Sequence, residues 1–238
     1  MTNTTDIRFL SCGESALTVQ FSNEINEATN RQIRYLAAYM EKKRIKGIID
    51  VVPTFCSMTI YFDPFVISRS KIENKISKII DAYKEDSASS KRVFLVPVCY
   101  EGDYAPDMED VCTLTGLTKE QIISLHSGTD YLIYMLGFLP GFPYLGGMDE
   151  RLEAPRLDTP RTIIPAGAVG IGGKQTGIYP LASPGGWRLI GRTPIKIYDP
   201  DRNPPILYKA GDYIRFYPIS ANDFSGMAGS NIKVLEES

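Results

Sequence analysis

Gln175, Thr176, Tyr179, Ser183 and Trp187 crowd into one short segment, with Phe138, Phe142 and Tyr144 a little upstream. Together they offer amide, hydroxyl and aromatic groups, a mixture suited to recognising a small polar molecule or to anchoring a protein interface. Lys174 and Arg192 stand beside them as anion contacts. No nucleophile declares itself. Ser183 lies in Ala-Ser-Pro-Gly-Gly, where Pro184 has no N–H to contribute to an oxyanion hole. A hydrolytic triad would need His126, the only histidine. It closes a predicted helix in Leu125–His126–Ser127–Gly128, where the C-terminal dipole favours its protonated form. It reads either as a catalytic base or as a structural group closing that helix or buried against the barrel.

The segment Gly137–Pro194 holds twelve of the 20 glycines, eight of the 16 prolines and the single tryptophan, a density that marks a shaped surface rather than ordinary turns. The glycines do not spell a phosphate motif. A P-loop ending at Gly173-Lys174 would need glycine at 168 and Ser or Thr at 175, where Ala168 and Gln175 stand. A dinucleotide fingerprint starting at Gly170-x-Gly172 fails at Gln175 as well. The same segment carries six basic residues, Arg151, Arg156, Arg161, Lys174, Arg188 and Arg192, against Asp149, Glu150, Glu153 and Asp158. That excess suits either a small anionic ligand or solvated surface arginine.

The elements that must hold these residues can be read from periodicity. Leu17, Val19 and Phe21, then Met58, Ile60 and Phe62, alternate as half-buried strands do, with GIIDVVP (47–53) as a third. Ile25, Thr29, Ile33, Leu36 and Met40 form one helical stripe, and Ile72, Ile76, Ile79, Ile80 and Tyr83 another, the second opened by a Ser70–Glu73 capping box. Residues 1–84 therefore predict a small α+β domain. EDSASSKR, 85–92, is polar and aperiodic and reads as a linker. Residues 93–238 begin with VFLVPVCY and a pair of short helices, the second capped by Thr118 and Gln121, with Gly116 and Gly128 as stops. Asp107, Glu109, Asp110 and Glu120 make that pair unsuited to DNA phosphates. The runs YLIYMLGFL, AVGIG, GIYPLAS, WRLIGR, PIKIYD, PPILYK and DYIRFYP then predict a closed, mainly β unit.

Function classes are bounded by charge and cysteine usage. A net charge of −2 argues against nucleic-acid binding, and no apolar run reaches the roughly 18 residues of a membrane span. Cys12, Cys56, Cys99 and Cys112 show no metal spacing, so no metal site is expected. The N-terminus lacks a signal-peptide pattern, and a cytoplasmic location is expected.

At MLGFLPGFPYLGG, PRTIIPAGAVGIGG, QTGIYPLASPGGW and LIGRTP the chain resembles the allophanate hydrolase subunit 1 or KipI-like family, which includes the B subunit of 5-oxoprolinase. The likeness runs from GESAL near Gly13 through LHS at Leu125 and covers essentially the whole chain. It implies a small α+β domain followed by a cyclophilin-like β-barrel. It also implies ATP-dependent opening of 5-oxoproline to glutamate, with the C and A subunits of 5-oxoprolinase as partners and activity lacking in the chain alone. Within the same family, inhibition of a sporulation sensor histidine kinase and processing of urea-derived or other amides are the alternatives. Peptidyl-prolyl isomerase activity does not follow from the barrel.

Overall fold

The computed structural model describes residues 7–83, 91–227, 229 and 232–237. The chain divides into two compact units, residues 1–87 and 88–238.

The first unit runs β1 (Arg8–Ser11), β2 (Ala16–Gln20), α1 (Glu27–Lys43), β3 (Ile48–Pro53), β4 (Ser57–Phe62) and α2 (Arg69–Asp81). Its antiparallel sheet has the order β1-β2-β4-β3. Leu17, Val19, Met58 and Ile60 face Ile33, Leu36 and Met40 of α1 and Ile72 and Ile76 of α2, so the two stripes and the two alternating strands share one core. Two details differ from expectation. Ile25 lies ahead of α1 and is exposed, because Asn26 takes the cap and its side chain accepts from the Thr29 N–H at 2.8 Å. The Ser70–Glu73 box does not form. Ser68 is the N-cap, Ser70 falls inside the first turn, and Glu73 instead accepts from Arg69 Nε at 2.6 Å.

The second unit runs β5 (Lys91–Cys99), α3 (Met108–Thr115), α4 (Lys119–Ser127), β6 (Asp130–Leu136), β7 (Pro143–Gly146), β8 (Arg161–Ile164), β9 (Ala168–Gly172), β10 (Gln175–Ile178), β11 (Ser183–Gly185), β12 (Arg188–Arg192), β13 (Tyr213–Ile219), α5 (Ala221–Gly226) and β14 (Lys233–Glu237). Of the linker expected at 85–92, residues 85–90 lie outside the described residues, and Lys91 and Arg92 open β5.

Seven strands of one sheet follow the order β10-β9-β12-β5-β13-β6-β7, with β14 added on β5. The ends curl together until Gly177 of β10 faces the Pro143 carbonyl of β7, which nearly closes a barrel. Val96, Val98, Tyr131, Ile133, Val169, Ile171, Ile178, Ile190 and Phe216 fill it, and Val111 and Ile122 of the two helices join the same core. The α4 capping box is present in both arms, and Gly116 ends α3 at φ 70°. The fold class is thus the expected one, an α+β unit followed by a mainly β barrel.

β8 and β11 form a separate two-stranded ribbon. GIYPLAS is therefore not one strand, since β10 stops at Ile178 and Ser183 starts β11 in another sheet. PIKIYD and PPILYK meet only in a single bridge, Tyr198 to Ile206, because their prolines withhold the N–H groups a ladder needs.

Candidate functional site

Alternation along β9 and β10 sorts the candidate residues onto two faces. Val169 and Ile171 of β9 and Ile178 of β10 point into the barrel, and Thr176, paired in register with Ile171, points in with them. Gly170, Gly172 and Gly177 lie on the outer face, where a Cβ at any of them would run into Trp187, and at Gly177 into Phe142 as well. The glycine-rich motif is the floor on which these rings lie, not a phosphate cradle. Gln175, opposite Gly172, shares that outer face and is partly exposed.

On the floor, Phe142, Tyr179 and Trp187 pack nearly perpendicular to one another. Ring centroids lie 5.2 Å apart for Phe142–Tyr179, 5.5 Å for Phe142–Trp187 and 6.3 Å for Tyr179–Trp187, with interplanar angles of 81°, 78° and 82°. Edge-to-face contact sets the positive rim of each ring against the negative face of the next. Tyr144 leans on Phe142 from the side at 5.2 Å. Phe138 adds a fifth ring, 86° to Phe142, yet it is 62% exposed and holds φ at 64°. A left-handed backbone on a bulky side chain costs about 1–2 kcal/mol, and here it turns an apolar ring outward at the mouth of the cluster.

The ribbon β8–β11 flanks the rings. Ser183 and Gly185 pair with Ile164 and Arg161 across a bulge, which leaves those four residues on the inner side and Ile163 and Pro184 exposed outside. A Cβ at Gly185 would stand 2.7 Å from Tyr179 Oη, so only glycine lets the ribbon approach the ring cluster. Arg161 Nη2 donates to Asp107 at 2.5 Å, and the same carboxylate accepts from the Leu189 N–H at 2.6 Å. Arg156 lies over Trp187 with its guanidinium 5.9 Å from the ring centroid. Arg188 is tied to the Pro155 carbonyl and to Asp110. Burial pushes the Tyr179 phenol up from its ordinary pKa, while the nearby Trp187 backbone, Arg156 and Arg161 pull the other way. It keeps its proton at neutral pH.

Several candidate residues lie elsewhere. Lys174 sits at the β9–β10 hairpin end with its side chain 74% exposed, 3.9 Å from Glu153. Arg192 donates to the Ala166 carbonyl and covers Phe224 rather than joining the rings. Thr176 is inside the barrel with His126.

His126 is fully buried, stacked on Phe216 with centroids 4.5 Å apart. Its Nδ1 lies 2.8 Å from Tyr100 Oη and its Nε2 lies 2.8 Å from Thr176 Oγ1. Thr176 donates its own proton to the Gly170 carbonyl at 3.1 Å, so it accepts from Nε2–H and leaves Nδ1 to accept from Tyr100. Desolvation lowers the imidazole pKa to about 3, which overrides the helix dipole expected to favour its protonated form. A neutral histidine with both nitrogens engaged inside the barrel is structural, and the catalytic-base reading does not fit it.

In the sequence Arg156 and Arg161 stand out only as local charge, and Asp107 only as an acidic residue unsuited to DNA. The available signal was their context, since each arginine follows a proline, Pro155 and Pro160, that fixes the backbone feeding it toward the rings.

The family described as carboxyltransferase domain, subdomain C and D, matches residues 7–208. The chain is 41% identical over 226 residues to the B subunit of the Bacillus subtilis 5-oxoprolinase, spanning 89% of this chain and 92% of that one. The solved structure of TTHA0988 matches 87% of this chain at 34% identity and a TM-score of 0.76, and this chain spans 40% of its length. The Kluyveromyces lactis urea carboxylase structure matches 97% of this chain with a TM-score of 0.80 at 20% identity, a likeness of fold, and this chain spans 24% of it.

Proposed function

The chain belongs to the family of carboxyltransferase domain subdomains C and D, and from that premise we propose that it is the B subunit of an ATP-dependent 5-oxoprolinase, opening 5-oxoproline to glutamate together with the A and C subunits. The observation that carries this reading is the 41% identity along 92% of the B subunit of the Bacillus subtilis enzyme. The ring cluster supports it, because Phe138 presents an exposed apolar ring in front of the buried Tyr179, and the partly exposed Gln175 offers an amide, to a small cyclic amide.

An unstrained amide is a poor electrophile, and ATP would supply the phosphoryl group that activates its oxygen. The glycine-rich strands do not fit as the holder of that nucleotide, since Gly170, Gly172 and Gly177 are covered by Trp187 and Phe142. The nucleotide then belongs to the partner subunits. What this chain contributes is shape and charge: the rings exclude water, Gln175 offers its amide to the lactam, and Arg156 and Arg161 set a positive potential around the Tyr179 hydroxyl. No proton transfer is assigned to His126, which is sealed in the barrel.

The test is ATP hydrolysis stimulated by 5-oxoproline, measured for this chain alone, for the partner subunits alone and for the mixture. Turnover is expected in the mixture only. A stable complex with no 5-oxoproline-dependent turnover, or no complex at all, would overturn the proposal.

A further inference from the structure

Among the described residues of the second unit, two buried side-chain polar atoms lack a hydrogen-bond partner: Arg161 Nη1 and Ser183 Oγ. Both belong to the inner side of the β8–β11 ribbon, at the positions in register with Gly185 and Ile164. An unmet buried donor is costly, roughly 1–3 kcal/mol, and these two sit on one ribbon. Ser183 is 8% exposed, so bulk water does not satisfy it. Arg161 is held by Nη2 on Asp107, which leaves its buried Nη1 without a partner.

The surrounding charge has a definite sign. Arg188 pairs with Asp110 and Arg161 with Asp107, whereas Arg156 has no carboxylate partner among the described residues. One positive charge is thus left over beside Trp187. The Tyr179 phenol, raised above its ordinary pKa by burial, keeps its proton to donate. Planar guanidinium forks, a serine hydroxyl and a phenol are all donors, and a carboxylate can accept from all of them.

We propose that the inner side of the β8–β11 ribbon is a carboxylate-binding subsite, in which Arg161 Nη1, Ser183 Oγ and Tyr179 Oη donate to the acid group of a small ring compound while Arg156 neutralises it over Trp187. The inference rests on the reading that the ring cluster receives 5-oxoproline, and it assigns which end of that molecule the ribbon holds: the carboxylate, with the lactam directed toward Gln175 and Phe138. It makes Arg156 and Ser183 specificity-determining residues that select an acid over its amide.

Trp187 is the chain's only tryptophan, so its fluorescence reports on this subsite without a label. The full chain is titrated with 5-oxoproline, with 5-oxoprolinamide and with cyclopentanecarboxylate, and the KM for 5-oxoproline is measured in the mixture with the partner subunits. Saturable quenching or enhancement is expected from the two carboxylates and not from the amide. Arg156→Gln and Ser183→Ala should each weaken carboxylate binding and raise KM by about tenfold, the loss of one charge-assisted contact. Equal response to acid and amide, or unchanged affinity and KM in both variants, would overturn the subsite even if the mixture turns over 5-oxoproline. Carboxylate binding that both variants weaken, in a mixture that never hydrolyses ATP on adding 5-oxoproline, would uphold the subsite while removing the 5-oxoprolinase reading.

Discussion

His126 and Ser183 are both more than nine-tenths buried in the same unit, yet the polar groups around them are handled in opposite ways. Around His126 every proton has a destination: Tyr100 to Nδ1, Nε2 to Thr176, Thr176 to the Gly170 carbonyl, and Tyr131 to the His126 carbonyl at 2.9 Å. Around Ser183 the count does not close, since its Oγ and Arg161 Nη1 have no partner. A saturated network in a low-dielectric interior rigidifies the barrel and has nothing left for a ligand. An unsaturated one beside the ring cluster keeps donors in hand. The contrast separates two kinds of buried polar residue that look alike by type, and it locates binding chemistry on the ribbon rather than at the histidine.

The comparison predicts that disturbing a satisfied group costs far more than disturbing an unsatisfied one. Asp107 is the satisfied anchor of the ribbon, so Asp107→Ala removes the ion pair to Arg161 and the acceptor for Leu189 N–H together. The expected loss is about 3–5 kcal/mol in urea unfolding of the full chain. A loss below about 1 kcal/mol would mean that the ribbon is not held by this carboxylate.

Acid should act on the saturated network alone over a definable window. The folded pKa of His126 is lowered to about 3, against about 6.5 for an unfolded histidine. Between those values the unfolded chain binds a proton that the folded chain refuses, so stability is whole above pH 6.5 and falls as pH drops through the window. The native carboxylates with lowered pKa, such as Asp130 hydrogen-bonded by Arg215, add their own loss only below about pH 4. Since the chain has no other histidine, the fall from pH 6.5 to 4.5, roughly 2–3 kcal/mol, belongs to His126. His126→Gln should flatten that slope whatever it does to stability at pH 7. Thr176→Val comes next in size: it strands Nε2–H without an acceptor and should cost about 2 kcal/mol at neutral pH.

Much of the fold was legible because its signals are local and periodic. Leu17, Val19, Met58 and Ile60 alternate, Thr118 and Gln121 cap as a pair, and the glycine- and proline-bounded runs curl into a barrel. What was not legible depended on partners distant in sequence. Gln175 and Thr176 are neighbours in the chain, but one strand's alternation sends the first to the ring face and the second to His126. The glycines of β9 and β10 looked like ligand-loop residues because nothing local shows that Trp187 lies across them. Ser70 lost its cap to Ser68 by half a turn, a shift smaller than periodicity resolves. Arg156 and Arg161 were seen as charge and not as site, because their use is set by Asp107 and Trp187, far away in sequence.

The smallest expected effect has the opposite sign and tests the contrast most sharply. Ser183→Ala removes a hydroxyl that has no partner in the free protein, from a position only 8% exposed. If Oγ is unsatisfied, the alanine variant sheds a desolvation cost and loses no hydrogen bond, so stability without ligand should stay level or rise by up to about 1 kcal/mol. Thr176→Val, an equally modest deletion of one buried hydroxyl, should fall, since its oxygen serves two partners. Thermal unfolding of both variants beside the parent, in buffer free of carboxylic acids, gives the comparison in one experiment. Adding 5-oxoproline should then raise the melting temperature of the parent more than that of Ser183→Ala, because only the parent gains a partner for its serine. If Ser183→Ala destabilises the free chain as much as Thr176→Val does, Ser183 is part of a satisfied network after all, and the distinction between ribbon and barrel interior loses its basis.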